Sequence, residues 1–177
     1  MDNKIGLKRG AVVLKQHHQE WARAFEVEKE FLQNLLGSFA LEIEHIGSTA
    51  VQGLAAKPII DILLAVKSLA YISDIRPLLE RAGYEYRKNG SDGAQVLFVK
   101  GPEEQRTHYL HITEVGSSVW ENDIVFRNYL RTHPKSIEEY TKLKENLASQ
   151  YADKREQYTA GKKDFIKKII DEVRRRN

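Results

Sequence analysis

Between Glu44 and Asp61 the chain gathers residue types that handle phosphate and metal. Glu44-His45-Ile46-Gly47-Ser48-Thr49-Ala50 leads to Gly53-Leu54, then Lys57-Pro58, then Asp61. A strand that ends on a Gly-Ser turn can present backbone N–H groups and a hydroxyl to an anion, because Gly leaves room for close approach. A carboxylate on the next strand can hold a divalent cation that bridges phosphate oxygens. These are the minimal parts for phosphoryl or nucleotidyl transfer. Asp61 sits among Ile59, Ile60, Ile62 and Leu63, where an unpaired carboxylate costs several kcal/mol. It therefore needs either a cation or a partner such as Lys57 or an arginine. The two cases differ in sign. An acid crowded by other metal-binding acids is relieved of repulsion by Asp61→Asn, whereas breaking a buried pair costs about 3–5 kcal/mol.

Other candidates carry plainer readings beside the chemical ones. His45 shares a strand face with Leu41 and Ile43, as a buried, hydrogen-bonded histidine would. Ser48 is equally a helix N-cap and a phosphate ligand. His108 and His111 are three apart on a strand and fall on opposite faces, which disfavours a two-histidine metal clip. His111 shares a face with Tyr109 and is the one expected at a cleft. Arg127 and Arg131 are four apart, stacked on one helical face, and suit an anion clamp or exposed ion pairs.

The elements that must position these groups are legible in the periodicities. Residues 17–36 carry Trp21, Ala24, Phe25, Phe31, Leu32, Leu35 and Leu36 at helical spacing, with Gly37 as a stop. Residues 41–46 alternate as a strand. Residues 59–66 are apolar on both faces, as in a central strand whose start tolerates Pro58. A helix over 74–81 is followed by strands at 84–87, 94–100 and 107–114. Ser118 and Glu121 form a capping-box pattern that opens a helix ending near Pro134. The remainder, about 135–177, reads as a C-terminal helical extension with a break at 153–159.

The chain has 177 residues, which fits one unit over 1–177, and its 41% hydrophobic and 30% charged content excludes wholesale disorder. No apolar run approaches the roughly 20 residues of a membrane span. Met1 to Gly10 lacks a secretory pattern, so the cytoplasm is expected. With no cysteine, thiol nucleophiles and thiolate metal sites are excluded. The net charge of +3 is mild. Lys162, Lys163, Lys167, Lys168 and Arg174 to Arg176 alternate with an apolar stripe from Phe165 to Val173, which reads as a solvated helix face. Aromatic interleaving for base stacking is absent there, so nucleic acid is not an expected partner.

Glu44-His45-Ile46-Gly47-Ser48-Thr49-Ala50-Val51, Gly53-Leu54 and Lys57-Pro58-Ile59-Ile60-Asp61-Ile62 resemble the signature of the GrpB family. Trp21, Arg106, Leu110-His111, Phe126-Arg127, Tyr129-Leu130-Arg131, Pro134, Tyr140, Leu143-Lys144, Tyr158, Lys162 and Phe165 extend the likeness over essentially the whole chain. The resemblance implies an α+β, nucleotidyltransferase-like fold with a mixed sheet, a bound nucleoside triphosphate and Mg²⁺ or Mn²⁺. On that reading Gly47, Ser48 and Thr49 cradle phosphate, and Lys57, Arg127 and Arg131 offset its charge. Asp61, with Glu44, holds metal, and His45 or His111 orients the acceptor or acts as base. Two departures stand out. The broad superfamily carries Asp-x-Asp where this chain has a lone Asp61 flanked at that spacing by Ile59 and Leu63, and Asn128 stands where an acid is expected. The alternative is therefore a nucleotide or small-molecule binding module without catalysis. Oligomeric state is left open.

Overall fold

The computed structural model describes residues 5–176. Met1–Lys4 and Asn177, part of the unit expected over 1–177, lie outside the described residues. The order is α1 (Glu20–Leu36), β1 (Glu42–Ile46), β2 (Ile60–Val66), α2 (Ile72–Arg81), β3 (Tyr84–Arg87), β4 (Gln95–Lys100), β5 (His108–Glu114), α3 (Ser118–Thr132), α4 (Pro134–Gln150), α5 (Arg155–Ala160) and α6 (Lys163–Arg176). The strands form one sheet in the order β1-β2-β5-β4-β3. Only the β2–β5 pair is parallel, so the sheet is mixed and the fold is α+β.

Register decides which residues meet. Ile46 stands beside Asp61, Asp61 beside Tyr109, and Tyr109 beside Val99. One step along each strand, His45 stands beside Ile62, Ile62 beside Leu110, and Leu110 beside Phe98. Since alternate residues point to opposite faces, these rows lie on opposite sides of the sheet.

The His45 face is the main core. Trp21, Phe25, Leu32 and Leu36 form the buried stripe of α1, at spacings that place them on one helical side. They pack with Ile75 and Leu79 of α2 on Ile43, Ile60, Ile62, Leu64, Leu110 and Ile112. Each such side chain removed from water contributes about 1.5–3 kcal/mol before chain entropy is subtracted. Glu28 lies in the same stripe, and its carboxylate accepts from Tyr84 Oη at 2.7 Å and Lys100 Nζ at 2.7 Å.

The Asp61 face is covered only in part. Val51, Leu54, Leu130, Tyr140 and Ile169 make one apolar cluster, and Ile59, Val99 and Tyr109 make another. A cleft of about 520 Å³ is lined by members of both.

Two boundaries depart from expectation. The α3 cap is Ser117, not Ser118, and its Oγ accepts from Trp120 N–H. The chain's extended conformation at Ser117 allows this, while Ser118 is already helical. The expected break at 153–159 contains the short helix α5, whose polar sequence gave no apolar period. Among the described residues no helix is long and apolar enough to cross a membrane.

Candidate functional site

Asp61 projects from β2 into the cleft with its side chain 31% exposed. Its Oδ1 lies 3.9 Å from His111 Nε2. His111 Nδ1 is 3.2 Å from Gln95 Oε1, a contact that orients the ring with Nε2 toward Asp61. Burial works against the Asp61 charge, but the neighbouring His111, Lys57 and Lys162 outweigh it and hold the carboxyl below its ordinary value.

Gly47 is what lets Asp61 lie there. Its φ of 69° and ψ of −171° belong to a region that glycine alone adopts readily. A Cβ at Gly47 would stand 2.5 Å from Asp61 Oδ2. The space beside the turn, expected to belong to a phosphate, is thus held by the carboxylate itself.

The following turn is pinned from below. Lys144 is 1% exposed; its Nζ donates to Ser48 Oγ at 3.1 Å and to the Ala55 carbonyl, joining the two ends of the loop. Ser48 accepts that bond and keeps its own hydroxyl proton for a ligand in the cleft. Burial pulls Lys144 down to about 7. Thr49 is buried, donates to the Ile59 carbonyl at 3.4 Å and pairs with His45 Nε2 at 2.9 Å, so its hydroxyl is engaged within the protein.

The cleft wall opposite the sheet is cationic. Lys57 Nζ lies 5.6 Å and Lys162 Nζ 4.8 Å from the centre of the Tyr158 ring, and Arg155 covers the Tyr109 ring at 4.6 Å. Burial, with Arg155 and Lys162 nearby, pulls Lys57 down to about 7. A second carboxylate also reaches the cleft, from α3 rather than from β2. Asp123 lines it, and burial, only partly offset by His111, pushes its carboxyl up to about 6.

Several expected members of the site stand elsewhere. The structure does not bring His45 to Asp61: its ring stacks on Phe25 with centroids 4.7 Å apart, on the core face. Burial lowers its pKa to about 4, so it is neutral at physiological pH. Its role is to brace Thr49 and the turn. Glu44 is likewise held away from Asp61, accepting from Arg127 Nη1 at 2.5 Å. The same nitrogen donates to the His45 carbonyl at 2.9 Å, while Arg127 Nε donates to Asn128 Oδ1 at 3.0 Å. Arg127 thus has its carboxylate partner in Glu44, with Asn128 accepting a hydrogen bond where an acid was expected. Arg131 donates to the Ala50 carbonyl through Nε and Nη2. It lines a separate hollow behind the turn, whereas Arg127 lines both.

The donor set limits how a cation can be held. Among the described residues no group of three His, Asp or Glu converges as a ready-made metal site. A divalent cation at Asp61 would complete its shell with phosphate oxygens and water, the usual manner of Mg²⁺. Asp61 fits that role; Glu44 does not.

Sequence reasoning missed Asp123 and Arg155 and gave Lys144 no role; Lys162, expected on a solvated helix face, instead lines the cleft just before α6 begins. Asp123 precedes Arg127 by four residues, so the stripe of α3 that carries the arginines was the available signal. Arg155 had none, since its helix was read as a break.

A family model described as "GrpB protein" matches residues 11–172. A "Glutamate-rich protein GrpB" of Alkalihalophilus pseudofirmus is 36% identical over 173 residues, covering 96% of this chain and 99% of that protein. A crystal structure of the conserved protein GrpB from Enterococcus faecalis superposes with a TM-score of 0.81 at 37% identity, covering 90% of this chain and 96% of that one. A "Dephospho-CoA kinase" of Mycolicibacterium paratuberculosis is 36% identical over 81 residues, only 44% of this chain and 20% of that protein.

Proposed function

The chain belongs to the GrpB family, and from the charge layout of its cleft we propose that it binds a nucleoside triphosphate with Mg²⁺ or Mn²⁺ and transfers a phosphoryl or nucleotidyl group to a small acceptor. The observation that carries this reading is a cleft in which Lys57, Lys162 and Arg155 gather around the Asp61 carboxylate. Phosphate oxygens are held by Lys57, Lys162 and Ser48 Oγ. A cation at Asp61 supplies neutralisation of the charge that develops on those oxygens. The acceptor oxygen bonds the transferred phosphorus as nucleoside diphosphate or pyrophosphate leaves, the acceptor's proton passes to the His111 imidazole, and Asp123, with a carboxyl at about 6, is matched to proton exchange near neutral pH. The partial likeness to a protein named as a dephospho-CoA kinase is in keeping with this chemistry. The cleft's size suits a small ligand, and the reading places the protein in the cytoplasm, where nucleoside triphosphates are made and used.

One observation favours a second reading, binding without transfer: among the described residues no three-ligand metal group is present. Turnover of labelled nucleotide in the presence of Mg²⁺ or Mn²⁺ separates the two, since transfer releases labelled product and a binding module returns nucleotide intact.

Charge at Lys57 gives the binding step a pH signature. Lys57 lies at about 7 in the free protein, and bound phosphate favours its ammonium form. Nucleotide binding therefore takes up a proton, and affinity falls as pH rises from about 7 to 9. Calorimetry in buffers of different ionisation heat reads the uptake directly. Lys57→Met is expected to weaken binding about tenfold or more and to reduce the pH dependence, with Lys162 and Lys144 retaining the remainder. A pH-independent affinity, equal in the variant, contradicts the assignment.

A further inference from the structure

Beyond Arg155 the cleft continues into a groove of about 460 Å³. Leu97, Tyr109, Arg155 and Thr159 line both spaces, so the two form one path. Three of the groove's cations pair within the protein, Arg9 with Glu103, Arg87 with Glu85 at 2.6 Å and Arg106 with the same Glu85 at 2.5 Å, and Lys163 also lines it. In the Asp61 cleft, by contrast, the ammonium groups of Lys57 and Lys162 face tyrosine rings and one carboxylate. The groove's floor is apolar, built from Leu97, Val99 and Tyr109, with the Arg155 guanidinium lying over the Tyr109 ring and donating to its hydroxyl. Glu156 and Asn89 stand at its edge as hydrogen-bond partners. A flat platform with an acceptor carboxylate suits an aromatic ring bearing amino groups and a sugar bearing hydroxyls.

We infer that this groove receives the base and sugar of the nucleotide whose phosphates occupy the Asp61 cleft, with Arg155 at the junction of the two. The inference rests on the phosphate reading above and assigns the direction in which the ligand lies. Ala160 lines the groove alone, is exposed on α5 and touches no core cluster, so Ala160→Trp fills the groove without repacking the interior.

The full chain and this variant are titrated with the four common ribonucleoside triphosphates and with inorganic triphosphate, each with Mg²⁺. The wild type is expected to bind at least one nucleotide about tenfold or more tighter than inorganic triphosphate. Ala160→Trp is expected to remove that advantage while holding inorganic triphosphate within about twofold, which also reports an intact cleft. Its introduced indole should be quenched by nucleotide and not by inorganic triphosphate. Equal wild-type affinities for nucleotide and inorganic triphosphate overturn the groove assignment and leave the phosphate site standing. So does a variant that weakens both equally. Failure of every ligand to bind overturns both readings.

Discussion

Asp61→Asn is expected to lose the Mg²⁺-dependent part of nucleotide binding while binding metal-free nucleotide more tightly than the wild type. The carboxylate sits among the cations that hold phosphate, so without metal it repels the ligand, and its removal leaves Lys57 and Lys162 unopposed. We expect a metal-free gain of about tenfold, one well-placed charge repulsion. The added affinity from Mg²⁺ should vanish. Isothermal titration with and without Mg²⁺ reads both; an Mg²⁺ enhancement that survives in the variant removes Asp61 from the metal. The structure also decides the sign of the stability change. Crowding by Glu44 would have made the asparagine variant more stable, but Glu44 is committed to Arg127. The folded carboxyl instead lies below its ordinary value. Its stabilising effect is present above that ordinary value and disappears as pH falls through the folded one. At neutral pH the variant is therefore expected to be less stable by about 1–3 kcal/mol, the lower end of a broken ion pair because the carboxylate is part exposed.

Gly47→Val should be the most disruptive single change at the turn. The backbone conformation costs a branched residue on the order of 1–3 kcal/mol, and the new Cβ meets Asp61 Oδ2 at 2.5 Å. Together these predict a loss of about 3–5 kcal/mol, equivalent to roughly 10 °C in melting temperature for a chain of this size. Filling of an open phosphate space alone would have left stability untouched. A double-mutant cycle isolates the contact: Gly47→Ala should cost at least about 1 kcal/mol less in an Asp61→Gly background than in the wild type. Equal costs in both backgrounds would mean that Gly47 serves the backbone only.

The sheet was legible because its strands announce themselves by type and alternation. Ile59 to Val66 is apolar on both faces, and the central β2 is buried on both. The same alternation placed His45 with Ile43, and the core face is where it lies. The family signature pulled it toward the chemistry because signature positions include residues that brace a turn as well as residues that touch a ligand. Asp61 stood out since an ionised group inside an isoleucine-rich strand demands compensation. Lys57 was within reach as a partner, and the rest of what surrounds Asp61 was hidden. Arg155 and Lys162 lie about 100 residues further along the chain, at the start of α5 and in the turn before α6, and their convergence on the cleft is set by tertiary packing. Asp123 was obscured because the second acid was sought on the strands, beside Asp61 or at Glu44, and not on a helix. The cap at Ser117 rather than Ser118 shows the limit of a spacing rule when two serines are adjacent and backbone conformation chooses between them.

The central claim is that Asp61, the Gly47-Ser48 turn and Lys57 with Lys162 form one metal-nucleotide site. A crystal soaked with a non-hydrolysable nucleoside triphosphate and Mn²⁺ tests it most directly, because the anomalous signal of manganese locates the cation independently of the ligand. The expected result is a manganese peak about 2.1 Å from an Asp61 carboxylate oxygen, bridged to phosphate oxygens that reach Lys57 and Lys162. A triphosphate bound with its manganese away from Asp61, or crystals whose cleft stays free of both at saturating concentration, would contradict the account.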